Sequence, residues 1–143
     1  MSEEKHKQVF RQLIEEGFNK GNLVVMDEIC APNFIEHQDG ITPPNVEGLK
    51  GAIMSLRTPF PDLNLTIEDI IASGDKTWAR ITGRGTHQNT FMGRSPTEKS
   101  FAITVIDICC FENNKIVEHW GVADRFSLIE QLGLMPINTP QNQ

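Results

Sequence analysis

The densest set of chemically able side chains lies in Lys115–Arg125, which reads Lys-Ile-Val-Glu-His-Trp-Gly-Val-Ala-Asp-Arg. Read as a strand, its side chains alternate between two faces. Ile116, Glu118, Trp120, Val122 and Asp124 then share one face, and Val117, His119, Gly121 and Ala123 share the other. A carboxylate four residues beyond a Trp on one face is unusual for plain sheet core, because an unpartnered buried acid is costly and responds with a raised pKa. A Trp and a tunable acid together suit a small-molecule pocket with acid/base chemistry. Asp124 is therefore expected to act as general base and then general acid. The alternative is that Asp124 caps the helix that follows, a role Ser127 could also fill.

Other groups join this set. Glu118 is a second acid on the Trp120 face, where it could instead pair with Arg80 or Arg84. His37 follows an apolar pair and precedes a loop, which would suit a residue entering a cavity mouth. His87 closes a strand at a strand-to-loop transition. His119 points away from the Trp120 face if the alternation holds, so it is expected in outer packing or an interface, and His6 is expected at the surface. No nucleophile emerges. Ser55, Ser73, Ser95 and Ser127 lack a G-x-S-x-G setting, and Cys30, Cys109 and Cys110 sit in apolar context without an activating neighbour. There is no C-x-x-C, no His/Cys cluster at metal spacing, and no phosphate-binding glycine loop; Thr82-Gly-Arg-Gly lacks the spacing and the strand–helix frame. The expected chemistry is acid/base, with no metal and no cofactor.

The elements that must hold these groups change period once along the chain. Residues 3–20 carry Val9, Phe10, Leu13, Ile14, Gly17 and Phe18 at helical spacing, with Ser2 as a cap and Gly21 as a stop. A short helix is expected over Leu23–Cys30, ending before Pro32, and an extended segment over Asn33–His37. A third helix fits 46–57. From Leu63 the period becomes 2, with strands from Leu63 towards Ile71, over Thr77–His87, over Ser100–Phe111, and then the Lys115–Arg125 stretch. A hairpin turn at Glu112–Lys115 joins the last two, and a final short helix spans Ser127–Leu132. Ala79, Gly83 and Gly85 predict a sharply curved sheet or a close backbone approach.

Helices followed by consecutive strands predict an α+β fold, with a cone-shaped curved antiparallel sheet wrapped around the long first helix. At 143 residues, 1–135 form one domain and 136–143 a tail. The net charge of −6 argues against nucleic acid or an anionic membrane as partner. No apolar run approaches ~18 residues and no cationic leader opens the chain, so neither secretion nor membrane spanning is expected. Three buried free thiols point to a reducing compartment, with the cytoplasm as default.

Several stretches together resemble one family. Gly85-Thr86-His87, Phe91-Met92-Gly93, Pro96-Thr97-x-Lys99, Asp107-Ile108, Phe111-Glu112-x-x-Lys115 through Trp120 and Asp124, and Gln131-Leu132-Gly133 are similar to the SnoaL-like polyketide cyclases of the nuclear-transport-factor-2-like superfold. Phe34-x-x-His37 and Pro61-Asp62 also fit. Two turn positions depart from the pattern, Glu98-Lys99 and Asn114. The resemblance implies a homodimer through the open sheet face and a small hydrophobic substrate. It implies an acid/base aspartate near the end of the last strand, which Asp124 matches, and a pocket histidine, which His37 matches. The reaction implied is an intramolecular aldol closure of a polyketide ester without metal or Schiff base. On this reading Asp124, His37 and His87 form the catalytic set, and Trp120, Glu118 and Asp107 contact substrate. Two other activities would use the same cavity: ketosteroid isomerisation, and epoxide hydrolysis by a set such as Asp107, Arg80 and Asp124. A non-catalytic dimeric binding module is the remaining alternative.

Overall fold

The computed structural model describes residues 2–136. The first helix, α1 (Glu3–Gln12), is capped by Ser2, whose side chain accepts the Lys5 N–H, and Glu3 and Glu4 sit at its positive end. It continues into a wide π-helical stretch, Leu13–Phe18, closed by the Asn19 N–H donating to the Ile14 carbonyl at 2.9 Å. Phe10, Leu13 and Ile14 are fully buried on the face that meets the sheet. Removing each such side chain from water is worth roughly 1.5–3 kcal/mol. Gly21, at φ +68°, ends the run in the left-handed conformation that glycine adopts without penalty. His6, expected at the surface, is instead buried with its ring stacked on Phe111 at 4.4 Å.

α2 (Val24–Ile29) leads directly into β1 (Cys30–Glu36), so Cys30 and Pro32 belong to a strand that begins earlier than the periodicity suggested. α3 (Val46–Arg57) is capped by the Asn45 side chain. Then come β2 (Asn64–Ser73), β3 (Lys76–Thr86), β4 (Ser100–Glu112), β5 (Lys115–Ala123) and α4 (Arg125–Gln131). The sheet order is β1-β5-β4-β3-β2. The pairs among β2–β5 are antiparallel, as expected, but β1 adds to the β5 edge in parallel. Pro32 is tolerated there because an edge strand has a free side.

The sheet is curved and open, and the helices cover its concave face. Bulges at β2 and β5 increase the local twist. Gly83 and Gly85 admit a close approach: a Cβ on Gly85 would lie 2.8 Å from the Phe101 ring. Asn19 clasps α1 to the sheet, its side chain exchanging hydrogen bonds with the Leu65 backbone at 2.9 and 2.7 Å. Residues 137–143, most of the expected tail, lie outside the described residues. Among the described residues, no helix is long and apolar enough to cross a membrane.

Candidate functional site

Between sheet and helices lies a cavity of about 630 Å³. Its floor is made by Phe101, Ile103 and Val105 of β4 with Ala123 of β5, and its far wall by Phe18, Leu56 and Leu65. Gln38, Thr42, Ser55, Glu47 and Arg125 are the main polar side chains on a mostly apolar lining. This is the ordinary constitution of a small-molecule site, a greasy chamber with a few placed polar groups.

The floor continues past Val105 by one rung of the ladder. Val105 pairs with Ala123, and Asp107 pairs with Gly121 on the same inner face. Successive same-face residues on a strand are ~6.6 Å apart, so Asp107 lies just beyond the lining rung. A Cβ on Gly121 would lie 2.8 Å from Asp107 Oδ1 and would collide with Gln38 Oε1. The absence of that side chain lets the Asp107 carboxylate and the Gln38 amide converge. A recess of about 220 Å³, lined by Gln38, Asp39, Gly121, Val122, Ala123 and Arg125, opens at this point.

Behind Asp107 stands His119. Its Nε2 is 3.3 Å from Asp107 Oδ1, an ion-pair distance without hydrogen-bond alignment, while its Nδ1–H donates to Glu36 Oε2 at 2.7 Å. All three side chains are buried. Burial by itself lowers the pKa of His119, but the charge and proximity of Asp107 and then of Glu36 outweigh it and raise the pKa to about 10. The centre is an imidazolium held between two acids.

The sequence-derived residues fall in different places. Trp120 and Glu118 lie on the outer face of the sheet, not on the cavity floor. The cause is a bulge: Phe111 pairs with Ile116 but Cys110 pairs with Glu118, so Val117 is an extra residue. Ile116 therefore points inward, Val117 and Glu118 outward, and His119, Gly121 and Ala123 inward, which reverses the expectation for His119. His37 is also outside. It stacks on Trp120 at 4.5 Å, and its Nε2 is 2.9 Å from Glu118 Oε1, so the partner of Glu118 is His37 rather than Arg80 or Arg84. Arg80 pairs with Asp69 at 2.7 Å. The set Asp107, Arg80 and Asp124 is thus not assembled.

Asp124 is exposed and caps α4, accepting the Ser127 N–H at 3.0 Å, and it is not among the residues lining the cavity. This is the capping role weighed for it from sequence. His87 is fully buried near the cavity wall, T-shaped to Phe60 and Phe91. Its Nδ1 accepts the Thr97 N–H at 3.2 Å, and its Nε2 has no partner among the described residues. Glu36 was missed by sequence reasoning, although a signal existed. In Phe34-Ile35-Glu36-His37, alternation from a buried Phe34 puts Glu36 inside and His37 outside. Among the described residues, no His, Cys, Asp and Glu side chains are grouped as a metal site.

A helix-backed open sheet enclosing an apolar chamber with a buried acid–imidazole–acid chain defines an α+β, nuclear-transport-factor-2-like domain. The model of the SnoaL-like polyketide cyclases matches residues 8–132, and the chain belongs to that family. Among solved structures it is similar to TsrD from Streptomyces laurentii, at TM-score 0.84 and 25% identity, covering 94% of this chain and 99% of that one. IdmH from Streptomyces antibioticus, itself assigned only provisionally as a polyketide cyclase, gives TM-score 0.80 and 33% identity over 90% of this chain and 98% of its own. AclR from Streptomyces galilaeus, provisionally a hydroxylase, gives TM-score 0.82 and 26% identity over 94% of this chain and 100% of its own. No curated protein matches the chain.

Proposed function

We propose that the protein is an acid/base enzyme that closes a ring in a polyketide-type ester by intramolecular aldol addition, with Asp107 moving the proton. The observation that carries this reading is the position of the Asp107 carboxylate, under the gap at Gly121 and one rung from the cavity floor. In the reaction, Asp107 takes a proton from a carbon flanked by two carbonyls. The enolate carbon attacks a ketone carbon further along the same molecule, the new C–C bond forms, and the resulting alkoxide takes the proton back from Asp107. His119 and Glu36 do not touch substrate in this scheme: His119 positions the Asp107 carboxylate and offsets its charge, and Glu36 holds the imidazole from its other edge. The Gln38 side chain borders the same gap, with its amide oxygen facing Gly121. The apolar chamber holds the rest of the molecule folded for closure.

The test uses a β-keto ester carrying a ketone placed for six-membered ring closure. Exchange of its acidic C–H in heavy water is followed by NMR, and ring product by mass spectrometry. Asp107→Asn is expected to lose both signals while Asp124→Asn, whose amide keeps the helix cap, retains them. The opposite pattern transfers the role to Asp124. No exchange by the wild type removes the enzymatic reading and leaves a binding module.

We also propose that the outer sheet face pairs with a second copy of the chain. Ile71, Trp78, Ile108 and Trp120 form a cross-strand row there, and Ile106 lies opposite Val122. Ile71, Trp78 and Val122 are 64%, 47% and 70% exposed, and contiguous apolar surface of this kind marks interaction sites.

A further inference from the structure

Among the described residues, the chamber has one cation. Of the described side chains that line it, only Arg125 is positively charged and only Glu47 is negatively charged. Glu47 lies 3.2 Å from Lys50 Nζ, so its charge is offset. Arg125 forms no ion pair among the described residues, and its one hydrogen bond there runs from Nη2 to the Asp39 carbonyl oxygen at 3.2 Å. Asp39 meets Arg125 through that carbonyl and not through its carboxylate. Both terminal guanidinium nitrogens lie over Gly40, 3.8 and 3.9 Å from where a Cβ would stand. Arg125 also lines the smaller recess with Gln38 and Gly121, so it stands where chamber and recess adjoin.

Arg125 is exposed, and an apolar molecule filling the chamber would cover the part of its guanidinium that faces the lining and strip water from that part. A neutral ligand would leave those N–H donors unmet, whereas a planar two-oxygen anion would fit the fork with two parallel charge-assisted bonds. We propose that the molecule this cavity accepts carries a carboxylate beside its apolar body, and that Arg125 receives the carboxylate. The selection acts at contact range, because the net charge of −6 gives no long-range pull on anions. The inference rests on the cavity being the substrate site, and it adds the charge class of the substrate. Its readout is binding, not turnover.

The experiment measures affinity by titration calorimetry for matched pairs of aryl acetates and their primary carboxamides, from one to three fused rings. It compares wild type, Arg125→Gln and Arg125→Lys, each first checked for an unchanged melting curve. The wild type is expected to prefer the acid by about tenfold or more, the scale of a charge-assisted hydrogen bond. Arg125→Gln is expected to erase that preference by weakening the acid alone, and Arg125→Lys to keep part of it. Equal affinity for acid and amide in the wild type overturns the inference. So does a preference that survives in Arg125→Gln, or a failure of every acid in the series to bind. Acid preference without C–H exchange on any substrate would keep this inference and retire the enzymatic reading; exchange without acid preference would do the reverse.

Discussion

Glu36 and His119 meet across the parallel β1/β5 register with their side chains 0% and 1% exposed and 2.7 Å between Oε2 and Nδ1. With Asp107 at 3.3 Å on the opposite edge of the ring, the imidazole gains its proton from the fold. Its pKa rises from an ordinary 6.5 to about 10. A group whose folded pKa is raised stabilises fully below its unfolded value and loses that contribution as pH climbs through the folded value. Stability should therefore decline between about pH 6.5 and pH 10. Melting temperatures across that window check it. In His119→Gln the decline should flatten while stability at pH 7 falls by about 3–5 kcal/mol, because two buried acids lose their counter-charge.

Gly121→Ala should reduce activity and stability together. The added methyl meets Gln38 and lies 2.8 Å from Asp107 Oδ1, so one of the two must leave the gap. Overpacking of this size costs about 1–3 kcal/mol, readable by urea unfolding. Turnover on the β-keto ester should fall by at least about tenfold, the effect of a barrier raised by ~1.4 kcal/mol.

Gly51→Ala should stabilise. Gly51 lies within α3 and on the cavity lining, and a Cβ there meets nothing within 4 Å. Replacing a helical Gly by Ala is worth roughly 0.5–1 kcal/mol. Gly51→Leu should instead project into the chamber, so three-ring ligands should lose affinity while one-ring ligands keep it; calorimetry on both sizes separates the cases.

Val122→Glu should weaken self-association without lowering the melting temperature of the monomer. Val122 is 70% exposed and opposite Ile106 on the outer face, so the new charge is solvated in one copy and desolvated between two. Sedimentation velocity across a concentration series reads the shift. An unchanged distribution would show that this face does not carry the contact.

The order of elements was legible because the hydrophobic period changes once, near Leu63, and both periods are clean. The last strand was legible as a strand but not as two faces. Alternation is exact only while the pairing is regular, and the extra residue at Val117 is visible only against its partner strand. Asp124 looked like a pocket acid because it ends that strand beyond Trp120, yet a carboxylate three residues before a free helical N–H is also a cap, and that is its hydrogen bond here. Asp107 faces His119 across the hairpin that the sequence predicted, but Glu36 lies far from both in sequence, and only the parallel placement of β1 beside β5 brings it in. Arg125 became notable only once the fold placed it on the chamber lining, as the single cation there among the described residues.

The wide turn at Leu13–Phe18 has a consequence for how this fold can vary. It holds chain in excess of a regular helix, and an α-helix advances ~100° per residue. The wide turn takes up that extra residue, so losing it would restore regular winding and leave the residues beyond close to their present facing. Phe18 would stay on the chamber wall and Asn19 on its clasp with Leu65. A relative could thus differ in length at this turn and still present the same chamber wall, because the winding absorbs the change.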